Sequence, residues 1–194
     1  MSSRNVARNT VGRMLGYALA GGLAGIAATY AMDRVTRALM DRQRPAITAK
    51  EEAARGGKSA MEIAAEETSL ALGRGPLTRP ERKRWGQRLH WTTGALAGAT
   101  YGAISAVRPG DWRQGLLYGA AVFALLDEAV PVALGMPGPG AFPWQTHARG
   151  LAGHLTYGLA THAALRALPT PVRPPTPSLR PWSRSFDLRG ALRA

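Results

Sequence analysis

Residues 89–107 carry no charged side chain, and Gly94, Gly98 and Gly102 stand four apart within them. A run of that length approaches the roughly 20 apolar residues that a membrane-spanning helix needs. In water, each glycine would cost a helix about 1 kcal/mol relative to alanine. In lipid there is no hydrophobic drive between helices, and small residues at spacing four let two backbones approach and gain packing. The pattern predicts a membrane helix with one face set against a neighbouring helix.

Three other stretches read the same way. Residues 14–32 are uncharged and hold Gly21 and Gly25. Residues 114–135 hold Gly115 and Gly119 and are interrupted only by Asp127 and Glu128. Residues 150–165 are uncharged and qualify as a span if extended back through Trp144. The slightly negative mean hydropathy of the whole chain hides this, because the charge is concentrated elsewhere. The first stretch follows Arg4, Arg8 and Arg13, as a signal peptide would. It is longer than the usual apolar core of about 7–15 residues, and Tyr30 spoils the best cleavage-like site, so an uncleaved span is expected.

The expected fold is all-α: a four-helix transmembrane bundle in a membrane domain over residues 1–168. Its spans fall near 12–33, 88–107, 113–135 and 145–166. A charged helical connector fills 34–87, and a disordered Pro/Arg-rich tail follows at 169–194. Within the connector, Thr48/Glu51, Ser59/Glu62 and Thr78/Glu81 each fit a capping box. Gly56 and Gly57 divide the first two helices, and the third box starts a helix that runs unbroken into the second span. Pro109 and Gly110 break that helix. Asp111 opens the next, which makes spans two and three an antiparallel hairpin.

The stretch from Asp111 to Gly158, with "QGLLYG" at 114–119, Pro143–Trp144 and Gly153–His154, resembles the YagU-like bacterial inner-membrane proteins. The resemblance covers roughly residues 88–166. It implies a four-span inner-membrane protein and no particular chemistry. The charged connector departs from the family pattern.

A net charge of +13 suits nucleic acid or an anionic lipid surface. The basic residues flank apolar segments, so anionic headgroups are the expected partner and nucleic acid is not. The absence of cysteine excludes a disulfide framework, a thiolate metal site and a cysteine nucleophile.

Asp127 and Glu128 are the most informative polar residues, since an ionisable group inside a span is expensive and turns towards the bundle interior. Counting from the helix ends at 1.5 Å per residue puts Asp127 about 12 Å deep and His154 about 15 Å deep from the same side. Asp33, His90 and His147 fall in that half too, and His162 lies towards the other. The candidate intramembrane cluster is therefore His90, Asp127, Glu128 and His154. No phosphate loop and no nucleophile–base set accompanies it, so no cofactor and no enzymatic activity is expected.

The reading is a non-enzymatic inner-membrane protein acting through packing, as a homo-oligomer or an accessory subunit of a larger complex. One alternative is a proton or small-solute pathway through Asp127, Glu128 and His154. Another is a metal- or haem-binding subunit. Basic residues lie on both sides of the expected spans. The nearly uncharged link between spans three and four favours cytoplasmic termini.

Overall fold

The computed structural model describes residues 3–133 and 135–168. The tail at 169–194, expected to be disordered, lies outside the described residues. Among them all regular structure is helical, with no strand. The chain runs through α1 (Ser3–Met40), α2 (Pro45–Ala54), α3 (Ala60–Ala71), α4 (Arg79–Val107) and α5 (Trp112–Phe123). A π-helical segment (Ala124–Ala129) then leads into α6 (Val130–Ala133), and a 3-10 turn (Pro139–Ala141) precedes α7 (Trp144–Ala167).

Local chemistry sets most of these boundaries. At the start of α3, Ser59 Oγ accepts from the Glu62 amide at 3.2 Å and Glu62 Oε2 accepts from the Ser59 amide at 2.8 Å. At α4, the Thr78 amide and hydroxyl both donate to Glu81, at 2.8 and 2.6 Å. Asp111 caps α5 by accepting from the Arg113 amide at 3.0 Å. The capping box expected at Thr48 and Glu51 does not form. Pro45, whose ring pre-sets a helical φ and lacks the N–H that a first turn leaves unpaired, starts α2 earlier, with Arg44 at the cap. Gly56 and Gly57 take positive φ, +60° and +72°, and turn the chain from α2 to α3.

The glycine stripes lie at helix crossings within one chain. Gly21 and Gly25 of α1 face Gly94, Gly98 and Gly102 of α4, running antiparallel. A Cβ added at Gly98 would stand 2.6 Å from Gly25 Cα and also meet the Gly21 carbonyl oxygen. Gly115 and Gly119 of α5 face Gly158 and the His154 backbone of α7. Gly153 of α7 meets Thr36 and Met32, bringing α7 against α1. Thus α1 packs between α4 and α7, and α5 packs on α7.

The hairpin expected of spans two and three is antiparallel, but its two backbones do not pack together. The Tyr101 and Tyr118 rings stand between α4 and α5, 5.0 Å apart, and Tyr118 Oη donates to the Ala97 carbonyl at 2.6 Å.

The outward faces are the reverse of a soluble helix. On α1, Val11, Leu15, Leu19, Leu23, Ile26 and Tyr30 point out, with Leu19 75% exposed. Gly21 and Ala24 are buried on the inner side. Leu117 and Leu125 point out beside the buried Gly115 and Gly119. Two helices, Asn9–Met40 and Trp112–Ala133, are long and apolar enough to cross a membrane, and only 33% and 11% of their most apolar windows is buried. A core helix of a soluble protein would be mostly buried.

The other two long helices, α4 and α7, fall short of that hydropathy, and four crossings are therefore not established by composition. Their glycines, threonines, tyrosines and histidines lower it, although residues 89–107 carry no charge. Helix boundaries also run past the expected spans. The first helix continues beyond Asp33 to Met40, and the third ends at Ala133, before Gly135 at φ +76°.

Candidate functional site

At the end of the bundle where α2 and α3 lie, three histidines each meet a carboxylate from another helix. Asp33 at the end of the first uncharged run accepts from His90 Nε2 across 3.0 Å. Glu128 lies 2.6 Å from His147 Nδ1, and Asp127 lies 3.2 Å from His154 Nε2. The candidate residues His90, Asp127, Glu128 and His154 thus share one end of the bundle, each with a different immediate partner.

Asp127 and Glu128 sit in the π-helical segment. Pro131 has no N–H to reach back to residue 127, and the Val130 amide bonds instead to the Leu125 carbonyl five residues earlier. The helix widens there. Single π turns of this kind recur at functional sites because they re-aim side chains.

The three pairs are not equivalent. Both nitrogens of His147 face acceptors, Glu128 on one side and the Pro139 carbonyl at 3.0 Å on the other. Satisfying both requires two ring protons or a protonated Glu128.

His154 is 6% exposed, and neither ring nitrogen has a hydrogen-bond partner. Asp127 is within ion-pair distance but out of line for a hydrogen bond, and the Phe123 ring covers another side at 5.9 Å. Leaving a buried polar group unmatched costs about 1–3 kcal/mol.

Beside His154 lies a cavity of about 50 Å³, bounded by Thr29, His90, Gly94, Ala97, Asp127 and Tyr157. Roughly 10–15 Å³ suffices for one water. Met32, Met61, Leu126 and Asp127 also line a second cavity of about 230 Å³, which reaches Glu128, His147, Arg149 and Pro139 at the bundle end. The two cavities share Met32, Met61, Leu126 and Asp127 as walls, the larger lying towards the bundle end and the smaller beside His154.

Beyond that point the interior closes. Tyr157 Oη donates to the Gly94 carbonyl at 2.6 Å, and Tyr101, fully buried, pairs with His162 Nδ1 at 2.7 Å. His162 therefore belongs to the opposite half.

Sequence reasoning missed one residue. Glu51 of α2 is 2% exposed and binds Arg149 of α7 at 2.5 Å and Arg55 at 2.7 Å, and it accepts from Thr146 at 3.2 Å. Arg149 also donates to Gln43 at 2.6 Å. Burial pushes the Glu51 carboxyl up, but the Arg149 hydrogen bond, the two arginine charges and Gln43 together hold it below its ordinary value. This network pins α2 onto the start of α7. Its only sequence signal was an acidic residue in a short helix, which local pattern assigned to a cap.

Among the described residues, no group of three or more histidines and carboxylates is disposed to hold a metal ion. The metal-binding alternative draws no support from the geometry. Compared with protein-family models, curated proteins and solved structures, the chain matches none.

Proposed function

We propose that the chain is a small, non-enzymatic, four-span protein of a bacterial inner membrane, with cytoplasmic termini. In this reading it works as a packing or accessory subunit of a larger membrane assembly. The observation that carries it is the inverted helix surface: Gly21 and Gly25 inward, Leu15, Leu19 and Leu23 outward. Glycine contact drives association where lipid already satisfies apolar side chains, and it is a poor choice in water. α4 and α7 cross as well in this reading, because polar groups on both, Tyr101 of α4 and His154, Tyr157 and Thr161 of α7, are buried against the other helices. The resemblance to YagU-like proteins points the same way. The glycine stripes are engaged within one chain, so a homo-oligomer would use the large apolar outer faces instead. Carbonate extraction tests the membrane placement: the full-length chain should stay in the pellet, and its release to the supernatant refutes the reading.

A second reading, a proton or small-solute pathway, is favoured by one observation, the unmatched ring of His154 beside a small cavity. Against it, the cavity is bounded by Gly94, Ala97 and Tyr157, and Tyr157 bonds across to the Gly94 carbonyl. Proteoliposomes separate the two readings. Packing predicts no proton or ion flux. A reproducible wild-type flux abolished by Asp127→Asn or Glu128→Gln replaces the first reading with the second.

A further inference from the structure

His147, in the first turn of α7, bonds to two other parts of the chain. Its Nδ1 meets Glu128 of the π-helical segment at 2.6 Å, and its Nε2 meets the Pro139 carbonyl of the connector at 3.0 Å. Pro139 opens the 3-10 turn. There the Ala141 amide donates to the Gly138 carbonyl at 2.9 Å and the Phe142 amide to the Pro139 carbonyl at 3.1 Å. One carbonyl oxygen therefore receives both the turn and the histidine. The Phe142 ring stands edge-on to the His147 ring, 6.4 Å away. Pro139 and Phe142 also line the cavity of about 230 Å³.

The protons on the ring decide which of these bonds can exist. A carbonyl and an ionised carboxylate only accept. A charged imidazolium donates to both. A neutral ring has one proton and must aim the lone pair of its other nitrogen at an oxygen. With the proton on Nε2, that lone pair would face a carboxylate at 2.6 Å. A hydrogen bond to an ionised acceptor is the stronger one, so the proton stays on Nδ1. Nε2 and the Pro139 carbonyl then meet lone pair to lone pair. The contact that neutralisation breaks is the one to the connector.

The charges around His147 come from three elements. Asp127 and Glu128 of the π-helical segment, Arg149 of α7 and Arg55 at the end of α2 line the same cavity. Glu51 engages both arginines, and Asp127 stands against His154, which leaves Glu128 to His147. From α1 and α3 the cavity receives Met32, Thr36, Ala60 and Met61, none of which titrates. The His147 side chain is 29% exposed, so its ring can exchange protons with solvent.

We propose that His147 is a proton-operated clasp: charged, it ties the connector to the π-helical segment, and neutral, it releases Pro139 and loosens that side of the cavity. The clasp goes beyond the packing reading and does not depend on it. Its contribution is present while the ring is charged and is lost as pH rises through the titration of the ring.

The test uses the full chain in detergent micelles. Protection of the Ala141 and Phe142 amides against hydrogen exchange is followed by nuclear magnetic resonance, corrected for the intrinsic pH dependence of exchange. From about pH 5.5 to about pH 8.5, a range that brackets ordinary imidazole titration, their protection should fall about tenfold, the equivalent of one hydrogen bond to a charged group. The Nε2 proton should leave the ring over the same interval. Glu128→Gln separates the clasp from other titrations. Its amide can donate to Nδ1 of a neutral ring, which leaves Nε2–H for Pro139, so both amides should stay protected across the range. His147→Ala should leave them weakly protected at every pH. Amides in the middle of α7 are the control and should stay protected in all three proteins.

Protection that does not change with pH in the wild type overturns the clasp. So does a fall that persists in Glu128→Gln or in His147→Ala while α7 stays protected, because another group is then titrating. If Glu128→Gln disturbs α7 itself, the wild-type ring decides. Loss of the Nε2 proton together with the amide protection supports the clasp, and loss at a different pH overturns it.

Discussion

Replacing Gly98 by alanine adds a single methyl group at the close crossing of α1 and α4. Helix propensity alone predicts a gain of up to about 1 kcal/mol. The geometry predicts the opposite sign. The new Cβ would stand 2.6 Å from Gly25 Cα and 2.8 Å from Gly25 N, and it would run into the Gly21 carbonyl oxygen. Ordinary contact begins at 3.4 Å, so α1 and α4 must separate by at least about 0.8 Å at this point, the difference between 3.4 and 2.6. Both obstacles are backbone atoms, and neither can rotate away. A gap of 0.5–1 Å forfeits roughly a quarter to a half of the dispersion energy of the atoms concerned, and overpacking a tight contact costs about 1–3 kcal/mol. Gly12, in the same helix pair but with nothing within 4 Å, is the control: Gly12→Ala should be neutral or slightly stabilising. Reversible unfolding in mixed micelles, or the thermal midpoint in detergent, measures both variants. If Gly98→Ala matches or exceeds the wild type while Gly12→Ala behaves as stated, close α1–α4 contact is not what holds these helices together.

Glu51→Ala should cost the docking of α2 about 3–5 kcal/mol, because Arg149 is left buried without its partner, while Glu51→Ala/Arg149→Met should recover most of the loss. Hydrogen exchange across α2 reads both. The Glu51 carboxyl is held below its ordinary 4.5, so its contribution is present above that pH and fades as pH falls through the lowered value; exchange in α2 should rise only in acid below about 4.5. His154→Leu removes two unmatched ring nitrogens and should leave the thermal midpoint unchanged or raise it. A loss of about 2 kcal/mol instead would mean that the ring is satisfied by a water or ligand in the adjoining cavity. The chain has no cysteine, so Leu19→Cys and Leu117→Cys each give a single thiol. Neither should react with a bilayer-impermeant maleimide in intact proteoliposomes, and rapid labelling at either position contradicts a lipid-facing location.

Much of the architecture was legible because it is written locally. The uncharged runs and the spacing of Gly21/Gly25 and Gly94/Gly98/Gly102 depend on helix periodicity alone, as do the caps at Ser59 and Thr78. Depth counting was enough to sort Asp33, His90, Asp127, Glu128, His147 and His154 to one end. The pairing of these residues was not legible, because it depends on helix rotation and on the π turn. That turn shows in sequence only as Pro131, which marks a missing N–H without saying how the helix relaxes. The Tyr101–Tyr118 separation of α4 from α5 was hidden too: a short link fixes that two helices run antiparallel, and side-chain volume fixes how far apart they lie. Glu51 was misread because the local capping pattern was complete and the residue that claims it lies far along the chain.

That separation bears on the order in which the molecule is assembled. Arg149 follows Glu51 by 98 residues, and α7 is the last described helix to leave the ribosome. Until α7 is in place, α2 has no buried partner for its carboxylate, and Glu51 must remain hydrated. α2 therefore cannot settle when the first helix does; it waits through the synthesis of α4 and α5, whereas α3 can dock as soon as α4 is made. Docking of α2 is then a late step, a closure that occurs only on a chain whose final helix is correctly seated. A protease that cuts near Gly56–Gly57 would distinguish nascent chains before and after that moment.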